Sequence, residues 1–172
     1  MKRKSKGTAY REPRRDQALH WLGLLKEYVH DTYKSRGKLP EPTFCPQCGA
    51  VFRKGKWTWA PRPARAHQTI CPACRRIADN YPAGILRLSG PFLKTRRKEA
   101  LGVIRHSEAE AKKSHPLCRV IGIVESDEGI VVTTTDTHLP RRIGEAFWHA
   151  YHGVLKLHYG DDPRLIRMTW KG

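Results

Sequence analysis

Two cysteine pairs constrain this chain most: Cys45 with Cys48 and Cys71 with Cys74, each pair spaced by two residues and the pairs separated by 22. Two intervening residues let a tight knuckle aim both sulfurs at one ion, and two knuckles complete the four-thiolate tetrahedron that Zn²⁺ prefers. Proline and glycine in CPQCG and CPAC supply the fixed φ and the sharp turn a knuckle needs. The pattern predicts one structural Zn²⁺ on Cys45, Cys48, Cys71 and Cys74, with no open position for catalysis. His67, four residues before Cys71, is either a substitute ligand or a loop histidine. Cys118 opens a β-branched run and reads as a small core residue.

The loop between the knuckles is basic and aromatic. VFRKGKWTW alternates like a ribbon strand with a turn at Gly55, placing Arg53, Lys54 and Lys56 beside Trp57 and Trp59; Arg62 and Arg65 follow. Such cations suit phosphates, and aromatic faces stack on unpaired bases. A zinc ribbon has almost no core, however, so the two Trp residues are equally suited to covering the metal. The formal charge of the whole chain is +17. That excess is unusual for a metabolic enzyme and common in proteins that live on nucleic acid. It is concentrated toward the N-terminus: residues 1–76 hold 18 Lys and Arg against 5 Asp and Glu, residues 77–172 hold 15 against 11. Lys2, Arg3, Lys4, Lys6, Arg11, Arg14 and Arg15 lie within the first fifteen residues and extend the expected RNA contacts.

The expected organisation is α+β, in four parts. Residues 1–15 form a disordered basic arm. Residues 16–37 form a helix, capped by Asp16, with Leu22, Leu25, Val29 and Tyr33 on one face and Gly37 as its C-cap. Residues 41–90 form the zinc ribbon. Residues 91–172 form an αββαββ domain in which helices cover one face of a small antiparallel sheet. In that last part Phe92 to Ser114 reads as a charged helix with a modest apolar stripe. CRVIGIVES and GIVVTTTD make one hairpin, VLKLHYG and RLIRMTWK another, joined through DDP.

Between the hairpins, TTTDTHLPRRIGEAFWHAYHG reads as a helix capped by Asp136 or Thr137, with Ile143, Ala146, Phe147, Ala150 and Tyr151 inward. Arg141 and Arg142 fall near its positive end, where an anion would offset their cost; the alternative is two solvated arginines. His149 and His152 are spaced for a shared metal or for a polar helix face. Asp136, His138 and Glu145 lack an evident nucleophile, so no catalytic group is assigned.

The segment TTTDTHLPRRIGEAFWHAYHGVLKLHYG, behind a CPQCG and CPAC module, resembles a group of small bacterial zinc-ribbon proteins over roughly residues 41–172. Its cysteine module and Arg-Arg helix are also loosely similar to the zinc-bearing amino-terminal part of the archaeal and eukaryotic export adaptor of the large ribosomal subunit. The resemblance implies binding to ribosomes or their precursors, with zinc and without enzymatic activity.

The expectation is a non-enzymatic, zinc-containing RNA-binding protein associated with the ribosome in assembly, quality control or dormancy. Its partners would be rRNA within a ribosomal particle and ribosomal proteins, with no membrane and no small-molecule substrate. No apolar stretch follows the basic start, so a cytoplasmic protein with reduced thiols is expected. The alternative is a DNA-binding regulator or repair accessory protein using the same ribbon. Against it, no recognition helix with base-reading side chains at groove spacing stands out. Acidic protein partners and a hydrolase or nuclease are the remaining, weaker readings.

Overall fold

The computed structural model describes Asp31, Tyr33 and residues 37–158 and 165–172. The expected arm at 1–15, most of the expected helix at 16–37 and the DDP link lie outside these residues. So do Lys2, Arg3, Lys4, Lys6, Arg11, Arg14 and Arg15.

The fold is α+β, and the described residues form two sheets, four helices and one cluster of four cysteines. The first sheet has the order β3-β2-β1-β4, from β1 (Thr43–Phe44), β2 (Val51–Arg53), β3 (Lys56–Thr58) and β4 (His67–Gln68). Strands β2 and β3 form a tight hairpin with Arg53 opposite Lys56. Lys54 (φ 53°) and Gly55 (φ 73°) are both left-handed, as a two-residue hairpin turn with the favoured twist requires. A lysine is unusual there. The Glu41 carboxylate holds it by accepting the N–H groups of Lys54 at 2.7 Å and Gly55 at 2.9 Å. Helix α1 (Pro72–Ala78) follows, with Cys71 as its N-cap and proline in its first turn.

The second sheet has five strands in the order β6-β7-β5-β9-β8: β5 (Gly84–Ser89), β6 (Val120–Ser126), β7 (Gly129–Thr134), β8 (Val154–His158) and β9 (Ile166–Lys171). Both expected hairpins are present as antiparallel pairs, β6 with β7 and β8 with β9. Gly84–Ser89, expected within the cysteine module, instead form the central strand, antiparallel to β7 and parallel to β9. The segment GILRLS does alternate, with Leu86 and Leu88 inward. It is short, and it is framed by Pro82 and Gly90-Pro91, which masks it as part of a loop. The expected single helix at 92–114 is two, α2 (Pro91–Thr95) and α3 (Arg97–Ser114), broken where Arg96 leaves helical geometry at φ −123°, ψ 35°.

Helix α4 (His138–Tyr151) is the second expected helix, and Asp136 supplies its cap by accepting the Leu139 N–H at 3.1 Å. It crosses the sheet closely at Gly144, where an added Cβ would stand 2.8 Å from Leu155 Cδ1. Its buried face is Leu139, Ile143, Gly144 and Phe147; Ala150, expected inward, is exposed. With Leu93, Ala100 and Ile104 of α2 and α3, this face covers Leu86, Leu88, Ile130, Val132, Leu155, Met168 and Trp170 on one side of the sheet. Trp170 packs 5.0 Å from Phe147 and donates from its indole to His152 O at 2.8 Å. Each fully buried Leu, Ile or Phe contributes about 1.5–3 kcal/mol relative to exposure. The interior around the cysteines is small: among the described residues Cys45, Cys71, Ala73 and Cys74 form it, with Phe44, Ala50 and Val51 buried nearby. Apolar burial therefore stabilises the second sheet far more than the first.

Candidate metal centre

Each cysteine pair sits in a local structure that leaves its sulfurs pointing the same way. After β1, Gly49 N–H donates to Cys45 O and Cys45 N–H to Ala50 O, both at 2.8 Å, closing the first knuckle. The second knuckle is the start of α1, where Cys74 N–H donates to Cys71 Sγ at 3.4 Å. Cys71 N–H in turn donates to Cys45 Sγ at 3.3 Å, tying one knuckle to the other.

The ligand atoms of Cys45, Cys48, Cys71 and Cys74 all lie within 4.8 Å of one another, and all but Cys48 are buried. The sulfurs of Cys48 and Cys71 are 3.7 Å apart. A tetrahedral Zn²⁺ with bonds of about 2.3 Å has sulfur–sulfur edges of about 3.8 Å. The cluster thus has the spacing and the soft donor set of a four-thiolate site, and it can hold a metal ion. Electrostatics agrees with a cation there. Two thiolates about 4 Å apart repel by about 4 kcal/mol at an effective dielectric near 20. Four charged sulfurs without a counter-ion are untenable.

The individual thiols reflect this crowding. Burial pushes Cys45 up, but the N–H groups of Cys71, Cys48 and Gln47 outweigh it and bring the thiol down to about 7. Burial and the neighbouring thiolates push Cys71 well up, and burial raises Cys74 against the pull of Arg119.

Arg119 is the residue the sequence did not announce. It is 7% exposed and lies just before β6. Its Nη2 donates to Cys48 Sγ at 3.0 Å and its Nη1 to Cys74 Sγ at 3.3 Å, with Cys71 Sγ at 3.6 Å from Nη2. Nε donates to Pro116 O at 2.7 Å, which fixes the plane of the fork. Burial acts to lower the guanidinium pKa, but the thiols of Cys48 and Cys74 hold it above its ordinary value. The available signal was an arginine at the head of a β-branched run, next to Cys118.

The loop residues divide. Arg53, Lys54, Lys56 and Arg65 are exposed. Trp57 is half-buried and packs on the cysteine cluster beside Phe52. Trp59 is 41% exposed and donates its indole N–H to Lys112 O at the end of α3, linking the ribbon to the second sheet's layer. Arg62 sits over the Phe44 ring, its Cζ 4.0 Å from the centroid. Arg141 is half-buried and paired with Glu145 at 2.9 Å, and Arg142 is exposed.

His67 lies in β4, exposed and outside the cluster. His149 and His152 do not share a helix face, because His152 is the C-cap residue with φ 57°. Cys118 is half-buried with its thiol 2.7 Å from Asp136 Oδ2. Burial and Asp136 both push that thiol up.

Among the described residues no helix is long and apolar enough to cross a membrane. No protein-family model, curated protein or solved structure matches the chain.

Proposed function

We propose that this is a non-enzymatic, zinc-containing RNA-binding protein that acts in the cytoplasm on a ribosomal particle, with rRNA as its ligand. Zn²⁺ is the ion that best suits four thiolates at tetrahedral spacing in a reducing compartment. When bound it would supply the folding energy that the nearly coreless ribbon lacks. Cys45, Cys48, Cys71 and Cys74 would hold it, and Arg119 would offset part of the negative charge of the complex.

The observation that carries the RNA reading is the β2–β3 hairpin tip. Arg53, Lys54 and Lys56 stand exposed around a turn whose backbone is pinned by Glu41, so three cations are presented in a fixed geometry. Phosphate contacts of this kind supply sequence-independent affinity. Cys118, the one cysteine outside the cluster, has its pKa moved the wrong way for a nucleophile, in keeping with a binding role. The ribosomal assignment draws on the charge excess and on the resemblance carried by the cysteine module and the Arg141-Arg142 helix.

Sedimentation of a lysate through a sucrose gradient, with and without RNase, tests the reading. Co-migration with a ribosomal particle that RNase abolishes is the expected result. Migration at the top of the gradient in both conditions removes the ribosome. Preference for duplex DNA in direct competition with structured RNA replaces RNA with the DNA alternative.

A further inference from the structure

The second sheet has a face that none of the described helices covers. Strand alternation assigns it: Leu86, Leu88, Met168, Trp170 and Leu155 point into the core, so their neighbours point the other way. Register aligns those neighbours in rows across the strands. One row runs His158, Arg167, Ile85, Thr133; the next runs Lys156, Thr169, Arg87, Val131, Val124. Lys171 and Ser89 begin a third.

The charge on this face is one-sided. Arg87, Lys156, Arg167 and Lys171 are all exposed, and none makes an ion pair or side-chain hydrogen bond among the described residues. No Asp or Glu occupies a described strand position of the same face. Glu125 of β6 falls on the opposite side, where it pairs with Arg97 of α3 at 3.7 Å. Neighbouring rows are about 7 Å apart along a strand and alternate strands about 10 Å apart. These spacings are comparable with the Debye length of about 8 Å at physiological salt, so the four potentials add. Arg87, Arg167 and His158 also line one shallow hollow of about 340 Å³, with Ile85, Met168 and Thr169. Residues 1–30 are no complement to such a surface, since they carry eight Lys and Arg against three acids.

We propose that the uncovered face of the five-stranded sheet is a second RNA-binding surface, which takes the sugar-phosphate backbone through Arg87, Lys156, Arg167 and Lys171. It is separate from the ribbon hairpin, and it rests on RNA being the ligand. The face carries no aromatic side chain at these positions. It therefore grips phosphate and ribose hydroxyls, with Thr133 and Thr169 as further hydrogen-bonding groups, and does not stack bases. The contact has little sequence preference and strong salt dependence.

The test uses the full chain with zinc and a fluorescein-labelled RNA hairpin with single-stranded flanks, titrated across a range of salt. Three proteins are compared: the unaltered chain, the triple variant Arg87→Gln, Lys156→Gln, Arg167→Gln, and the ribbon variant Arg53→Gln, Lys56→Gln. The triple variant is expected to bind more weakly, and its slope of log affinity against log salt to flatten by roughly 2, at about 0.7 per lost contact. Acylation of Lys156 and Lys171 in the unaltered protein, mapped by mass spectrometry, gives a readout free of folding effects: RNA should protect both. An unchanged slope with both lysines fully reactive in the presence of RNA overturns the sheet surface alone. Absence of RNA binding by the unaltered chain overturns this surface and the proposed function together.

Discussion

Nη2 of Arg119 lies 3.0 Å from Cys48 Sγ, a residue 71 positions earlier in the chain. Through this bond the sheet that holds the main core reaches the cysteine cluster. A second link runs from the Trp59 indole to Lys112 O and ties the ribbon to α3.

Replacing Arg119 with methionine removes the charge and keeps much of the volume. Partners of metal ligands typically account for 10–100-fold in affinity, so Arg119→Met should lose metal to a chromogenic chelator about 10–100-fold more readily. Arg119→Lys should recover only part of this, because an ammonium keeps the charge without the two-pronged fork. Equal metal retention in Arg119→Met and the unaltered protein would reduce the guanidinium to a space filler.

Loss of the metal should not unfold the molecule evenly. Cys48→Ser, or a strong chelator, is expected to release the ion and expose the ribbon to protease. The core around Trp170 and Phe147 should keep its circular dichroism. The reason is that the ribbon buries few apolar side chains, chiefly Phe44 and Val51 beside its cysteines, whereas the sheet beneath α4 has a large core of its own. Stoichiometric zinc and full protease resistance in Cys48→Ser would mean the ligand set is wrong.

The hairpin tip should respond to acid. Glu41 is held below its ordinary value of 4.5, first by the Gly55 N–H and then by that of Lys54, with Lys38 and Arg53 adding to it. A carboxylate whose folded pKa is depressed stabilises the fold above its unfolded value, and that contribution disappears as pH falls through the folded one. The pinning of Lys54 and Gly55 should therefore be complete above pH 4.5 and fade below it. An NMR titration of the Glu41 carboxyl carbon should give a midpoint under 4.5, and Glu41→Gln should abolish the linked shifts of the Lys54 and Gly55 amides. A midpoint at or above that value would show that the two bonds do not form in solution.

Local chemistry was legible in the chain; what arrives from far away in it was not. The CxxC pairs announced their own cluster because two-residue spacing forces the sulfurs together whatever surrounds them. The hairpins β6–β7 and β8–β9 were visible from β-branched runs with turn residues between, and α4 from its apolar spacing. By contrast, β5 pairs with β9 across some eighty residues, and a six-residue run flanked by prolines carries no trace of that partner. Arg119 escaped for the same reason. Its role comes from sulfurs that approach it only in the folded state, and from Thr135, which accepts its backbone N–H at 2.9 Å. The packing of Trp57 and the Trp59 bond to Lys112 also required the fold, since cover and stacking platform call for the same side chains.

The position of β9 has a consequence for a chain that emerges from one end. All four cysteines exist by residue 74, so the ribbon can close while most of the sheet is still unmade. The sheet has to wait. Among the described strands β8 has β9 as its sole neighbour, and β5 keeps a bare edge until β9 arrives. Meanwhile Leu86 and Leu88 lack Trp170 and Met168 beside them. A nascent or stalled chain thus presents β6-β7-β5 with an unpaired hydrophobic strand at its border, a form open to pairing with another chain. Vectorial synthesis makes the ribbon the early piece, completed only when Arg119 arrives, and leaves the sheet as the part at risk until translation has passed β9.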